Sequence, residues 1–226
     1  MRKHAKTVLL RATRFLGHGD PGTAKLWFVG LEETAPLQNI SDLNALPAKP
    51  FITQAGCAGT TTAVYAIISK LIVRLQGDTT PDAWRSYRDN RLFSRGSEAF
   101  LTNLYPLGKK IEIDWPRQYQ KWLGMTRSEY YRWIQQDASE RFKFLREQHH
   151  HYGKPLTICF GKRHWPHFAK CFQLESNGFR DAARFRCYED SGMVMTEFFR
   201  STRMPDQSID MLVKWINRHE MNPFRQ

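Results

Sequence analysis

Glu32, Glu33 and Asn103 are residues whose types and placement suit chemistry on a nucleobase or its sugar. The acids follow the run Leu26-Trp27-Phe28-Val29-Gly30-Leu31, and the amide lies inside Ala99-Phe100-Leu101-Thr102-Asn103-Leu104-Tyr105. Runs of about four to eight apolar and aromatic residues suit strands covered on both faces. In open parallel sheets, ligands collect beyond the carboxyl ends of such strands. A carboxylate there can stabilise a sugar cation and align an attacking water. An amide, being both donor and acceptor, can read the Watson–Crick edge of an extruded base. Held one way round it suits a uracil-like edge, and the other way a cytosine-like edge, so it points to pyrimidines without choosing one. The plain structural alternatives are that Glu32 and Glu33 are solvated loop acids and that Asn103 ties two loops together.

The elements that must position these residues alternate between strand and helix. Strand candidates fall at about 26–31, 99–104, 155–160 and 193–199. Between them, Val64, Ile67, Ile68, Leu71 and Ile72 have helical spacing, with Gly77 as a stop. Thr126-Arg-Ser-Glu129 is a capping-box signature that predicts a helix running to about 148, with Tyr130, Trp133, Ile134 and Leu145 on its core side. Asp206 or Ser208 can cap a last helix whose Ile209, Leu212, Val213 and Ile216 form one apolar stripe. Strands joined by helical crossovers predict an α/β fold, a three-layer α/β/α domain around a four-stranded parallel sheet. No boundary divides residues 1–226, so one domain is expected. The stretches 34–56 and 105–125 are loop-rich, and long loops at strand ends are where sites are built.

Charge narrows the partner. Thirty-four Lys+Arg against 22 Asp+Glu give +12, and the pI is near 9.7. This is the footprint of a phosphate-backbone partner. Residues 1–20 hold Arg2, Lys3, Lys6, Arg11 and Arg14 ahead of the first acid, Asp20. They read as a basic helix packed through Val8, Leu9, Ala12, Phe15 and Leu16, with a transit peptide as the alternative. Lys109, Lys110, Lys162, Arg163, Arg200 and Arg203 all follow strand ends and could meet phosphates on one face, with Ser201 beside them. Arg203 or Met204 could fill the gap left by a flipped base. Cys57, Cys159, Cys171 and Cys187 form no Cys-x-x-Cys pair and read as reduced thiols. His149-His150-His151 reads as a solvated helix end rather than a metal site. No run approaches the ~18 apolar residues of a membrane span.

Taken in order, Gly30-Leu31-Glu32-Glu33, Thr102-Asn103, Gly161-Lys162 and Phe199-Arg200-Ser201-Thr202-Arg203 resemble the four motifs of the uracil-DNA glycosylase superfamily. The resemblance spans about residues 24–218. It implies a four-stranded parallel sheet and a monofunctional, metal- and cofactor-independent DNA N-glycosylase that leaves an abasic site. It makes Glu32 the catalytic carboxylate with Glu33 as second choice, beside Gly30, and Asn103 the base reader. Pro50-Phe51 resembles the segment that supplies the stacking aromatic. Family members that reject thymine carry a bulky Tyr four residues after the first-motif Gly. Here that position is Thr34, which implies room at C5 for 5-substituted pyrimidines, including hypermodified cytosines of phage DNA. The first motif lacks the family's Pro, and no His follows the fourth strand, where Phe199 and Arg200 stand instead. The implied partner is DNA, met by a monomer in the cytoplasm at the nucleoid, away from membranes, in repair or antiviral defence. Two rivals stand beside this: a non-catalytic nucleic-acid binder on the same fold, and an α/β hydrolase of free nucleosides or nucleotides.

Overall fold

The run that leads to Glu32 is a strand, β1 (Leu26–Glu32), buried along its length except at Glu32. The structure, a computed structural model, describes residues 3–32, 50–59, 62–109, 113–136, 140–175, 177–182 and 184–225. Along the chain come α1 (Lys3–Ala12), β1, α2 (Ala63–Leu75), α3 (Ala83–Asn90), β2 (Ala99–Tyr105), α4 (Arg117–Leu123), α5 (Arg127–Ile134) and α6 (Arg141–His151). They are followed by β3 (Leu156–Phe160), α7 (Trp165–Phe172), β4 (Arg180–Ala182), β5 (Phe185–Tyr188), β6 (Met193–Thr196) and α8 (Asp206–Arg218). The chain is thus α/β; α-helices separate β1, β2, β3 and β4, whereas β4, β5 and β6 follow one another without one.

The sheet is six-stranded and mixed, in the order β2-β1-β3-β6-β5-β4. Parallel pairing joins β2 to β1, β1 to β3 and β3 to β6. The β4–β5 hairpin then continues the sheet antiparallel, which corrects the expected four-stranded parallel sheet. The hairpin is hard to see in sequence because its strands are only three and four residues long and carry Arg180 and Asp181 on the edge strand and Arg186 beside them. The fourth expected strand, 193–199, stops at Thr196. There the Thr196 carbonyl accepts from Gly161 N–H (3.0 Å) and Trp165 Nε1 (3.1 Å), and the chain turns away.

Side chains of β1 alternate between two clusters, as strand geometry requires. Leu26 and Phe28 pack with Ile67, Ile68, Leu71 and Ile72 of α2 and with Ile209, Leu212 and Ile216 of α8. Val29 and Leu31 pack with Leu9 and Ala12 of α1, Tyr119 of α4, Tyr130 and Trp133 of α5, Phe142 of α6 and Phe168 of α7. The expected α1 contacts through Leu9, Ala12, Phe15 and Leu16 are all buried. The capping box forms: Thr126 accepts from Glu129 N–H, and the Glu129 carboxylate accepts from Thr126 N–H at 2.7 Å. The helix it opens ends at Ile134 rather than near 148, and a separate α6 starts at Arg141 after Glu140 in a left-handed conformation (φ 59°). At α8, Pro205 is the cap, and Asp206 instead accepts from Lys70 and Arg74, each at 2.9 Å. Among the described residues no helix is long and apolar enough to cross a membrane.

Past α1, residues 17–19 run along the outer edge of β2. His18 N–H donates to the Leu101 carbonyl (2.8 Å) and Leu101 N–H returns the bond (2.9 Å). Gly17 has φ 140°, and a Cβ there would overlap the Leu101 carbonyl oxygen, so only glycine allows this approach.

Candidate functional site

Where β1 ends, its two neighbours lie on opposite sides, β2 on one and β3 on the other. This is a switch point of strand order, the place where a crevice opens beyond the carboxyl ends. Register puts Gly30 opposite Asn103, and Glu32 opposite Tyr105. A Cβ on Gly30 would overlap Asn103 Oδ1 and stand 2.8 Å from Phe160 Cζ. Glycine is therefore needed for space: the Asn103 amide lies across the Gly30 backbone with the Phe160 ring beside it. Asn103 is 8% exposed.

The backbone at Asn103 is anchored by a buried cation. Arg141, the first residue of α6, is 1% exposed. Its Nη1 donates to the carbonyls of Thr13 (2.8 Å) and Phe15 (2.6 Å). Its Nη2 donates to Thr102 Oγ1 (3.3 Å) and to the Asn103 carbonyl, and its Nε to the Leu104 carbonyl (3.4 Å). One guanidinium thus fastens the chain after α1 and the start of α6 to β2 at Asn103. Burial pushes its pKa down to about 10, still far above neutrality, so it stays charged.

Glu32 is not a loose loop acid. Its carboxylate pairs with Lys109 Nζ at 3.1 Å and accepts from Tyr131 Oη at 3.2 and 3.4 Å. Lys109 also donates to Tyr131 Oη. The Lys109 side chain is fully enclosed and that of Glu32 is 8% exposed. Lys109 therefore does not stand among solvent-facing charges waiting for phosphates, as the sequence suggests; it is the internal counter-ion of Glu32. Behind this pair, Gln135 Nε2 donates to Tyr105 Oη (2.9 Å), which also bonds His167 Nδ1 (3.0 Å). The Tyr105 and Tyr131 rings meet edge-on at 4.5 Å. Burial, with the nearby Glu32 charge, raises both phenols above their ordinary range, so both remain neutral donors. Sequence reading missed Tyr131, Tyr105 and the pairing role of Lys109, because the chain brings them together from α5, β2 and the turn after β2.

The expected phosphate contacts divide by exposure. Lys162, Arg163, Arg200, Ser201 and Arg203 are exposed on the segments leaving β3 and β6. Lys162 lies 3.7 Å from Glu197, a solvated pair worth little. Met204 is 1% exposed within the core, which leaves Arg203 as the candidate to fill a vacated base position. Phe51 is exposed, at 55%, and stands beyond residues 17–19: its N–H donates to the Gly17 carbonyl and its carbonyl accepts from Gly19 N–H, each at 2.8 Å. It is thus separated from β2 by another chain segment. Glu33, Thr34 and Lys110 lie outside the described residues.

Two histidines follow β3. His164 lies beside Gly161, its Cδ2 3.9 Å from where a Gly161 Cβ would be, and its ring is 5.4 Å from that of His167. His149, expected at a solvated helix end, is 3% exposed and packs edge-on against Trp27 and Phe172. It lies at the other end of the strands, in a recess with Arg146, His150, Lys154 and Asp190. Among the described residues no three His, Cys, Asp or Glu converge as a metal site.

The carboxyl edge of the sheet therefore offers a fixed carboxylate, a largely buried amide and a basic rim. Set against known proteins, the chain matches no family model, no curated protein and no solved structure.

Proposed function

We propose that this chain is a DNA glycosylase of the uracil-DNA glycosylase kind. It hydrolyses the N-glycosidic bond of a flipped pyrimidine, uracil or a 5-substituted cytosine, and leaves an abasic site. The observation that carries this reading is the register of Gly30 with Asn103 at the carboxyl edge, with Glu32 two residues further along β1. Cleavage passes through an oxocarbenium-like sugar while negative charge builds on the departing base. Glu32, its oxygens fixed by Lys109 and Tyr131, faces the sugar cation and aligns water. Asn103 pairs with the base edge, held by the Arg141 bond to its carbonyl. Lys162, Arg200, Ser201 and Arg203 meet the phosphates of the strand. In this reading the two side-chain clusters lie between the sheet and the two outer helical layers of a three-layer domain acting as a monomer in the cytoplasm, in repair or antiviral defence. Acceptance of 5-substituted pyrimidines is supported by the residue type at position 34, a Thr, smaller than the Tyr with which the resembling family rejects thymine.

A second reading has its own observation. Glu32 is already satisfied by Lys109 and Tyr131, and a fully paired carboxylate suits a protein that holds a base without cutting it.

The two separate in one assay. The protein and its Glu32→Gln variant are incubated with DNAs carrying uracil, thymine mismatches, 5-hydroxymethylcytosine or its glucosylated form, then treated with alkali. Strand breaks on one substrate that vanish in the variant are expected. No breaks on any of them, with salt-sensitive DNA binding intact, would leave the non-catalytic binder.

A further inference from the structure

Four phenylalanines form a column that starts in the core, borders Asn103 at Phe160 and ends in solvent at Phe198. The Phe28 ring on β1 lies 6.1 Å from Phe199, which stacks on Phe160 of β3 at 4.3 Å with 7° between planes. Phe160 in turn lies 6.1 Å from Phe198. The first three are at most 3% exposed, whereas Phe198 is 42% exposed. The amide of Asn103 and the edge of Phe160 both rest against Gly30, so the base reader borders this column. Phe198 also closes over the end of β3, its Cδ2 4.0 Å from where a Gly161 Cβ would stand. Its carbonyl accepts from Arg200 N–H at 2.7 Å, which fixes the turn that presents it.

We propose that Phe198 is the platform on which a base stacks when its edge is read by Asn103, a place the resemblance assigns to Phe51. The inference rests on the base-binding reading of the site and deepens it. Phe51 sits across residues 17–19 from β2, on the far side of the sheet from β3 and β6. Phe198 instead shares its turn with Arg200 and Arg203 and lies beside the segment of Lys162 and Arg163, all exposed. An exposed aromatic on a basic surface suits a single-stranded or extruded nucleotide: the ring takes the base and the cations take its phosphates. Stacking engages the face of a base and leaves its edges open. Phe198 therefore tolerates 5-substituted pyrimidines, and discrimination falls to the Asn103 edge.

The test uses the full chain and two fluorescent probes of equal length: single-stranded oligothymidylate, and a backbone of reduced abasic residues with the same phosphates and no bases. Single-stranded bases need no unpairing before they stack. Phe198→Ala should weaken binding of oligothymidylate by about 5- to 150-fold, the range for losing one base–aromatic stack. Binding of the abasic backbone should stay within about twofold. Phe198→Trp should restore oligothymidylate binding, and Phe51→Ala should leave both probes unchanged. Equal losses on both probes, no loss on either, or the base-selective loss appearing in Phe51→Ala would overturn the assignment. So would a wild-type protein that binds the two probes equally. The glycosylase reading is judged separately by the alkali assay, which these probes do not enter.

Discussion

The carboxylate corner and the rim leaving β3 and β6 lie at the same edge of the sheet and handle charge in opposite ways. At the corner, Lys109 and Glu32 are enclosed and close on each other at 3.1 Å with Tyr131 between them. On the rim, Lys162, Arg163, Arg200 and Arg203 stand in water, and the ion pair seen there, Lys162 with Glu197, is long at 3.7 Å. A charge removed from water must be matched locally, whereas a hydrated charge acts at a distance and is screened by salt. The difference is one of geometry: the corner holds one group in one place, and the rim keeps its charges hydrated without fixing any one contact.

The sharpest way to break that contrast is Lys109→Met. It leaves the Glu32 carboxylate enclosed without its cation, and removing one member of a buried pair costs about 3–5 kcal/mol. Urea denaturation at neutral pH should show that loss, and Glu32→Gln combined with Lys109→Met should recover a large part of it. A loss below about 1 kcal/mol would mean that the corner is as solvated as the rim. Next is Gly30→Ala, whose Cβ meets Asn103 Oδ1 and Phe160 Cζ. Overpacking of this kind costs about 1–3 kcal/mol. It should also abolish the preference for oligothymidylate over abasic backbone while the salt dependence stays as it was. Unchanged preference would place base reading elsewhere than Asn103.

His149 extends the comparison to a buried group that titrates. Burial pushes its pKa from 6.5 down to about 4, with the His150 and Lys154 charges acting in the same direction and the Pro155 carbonyl, 3.3 Å from Nε2, against them. The unfolded chain takes up this proton near pH 6.5, but the folded chain does so only near 4. The stability from a neutral His149 is therefore complete above pH 6.5 and is lost as pH falls towards 4. The loss is up to about 3 kcal/mol, since each tenfold difference in proton affinity between the folded and unfolded chain is worth about 1.4 kcal/mol. Urea midpoints at pH 7 and 4.5 should differ less in His149→Gln than in the parent, and equal differences would remove His149 as the cause. The smallest effect belongs to the rim. Arg200→Ala or Lys162→Ala should change stability by no more than about 0.5 kcal/mol and lower the slope of log affinity against log salt by about 1. A variant that altered base preference instead would show that the rim also reads sequence.

How much of this was legible in the sequence depended on whether a residue's partner was local. β1, β2 and β3 follow from apolar runs, and the Thr126–Glu129 box from three-residue spacing, because each pattern records its own environment. The β4–β5 hairpin left no such record, since its charged residues Arg180, Asp181 and Arg186 on short strands read as loop. The Glu32–Lys109 pair is invisible because a lysine reads alike whether it meets phosphate or carboxylate. Arg141 is harder still: its partners are backbone carbonyls, which no sequence pattern marks. Phe198 and Phe199 are the instructive middle case. Both follow the end of β6 in a turn, where no periodicity says which is buried, and only the Phe160 stack decides that Phe199 goes in.

The place of β1 between β2 and β3 also sets a schedule for the chain as it is made. The strand at the middle of the pairing is synthesised first, and its second neighbour begins only at Leu156. At about 5–20 residues per second, β3 follows β1 off the ribosome after roughly 6–25 s. Throughout that interval Leu26, Trp27, Phe28 and Val29 lack the strand that covers one side of them. Helix α1, already complete, can shelter only the Val29 side through Leu9 and Ala12. Slower translation between β1 and β3 should therefore lower the yield of soluble protein, whereas slowing after Thr196 should not.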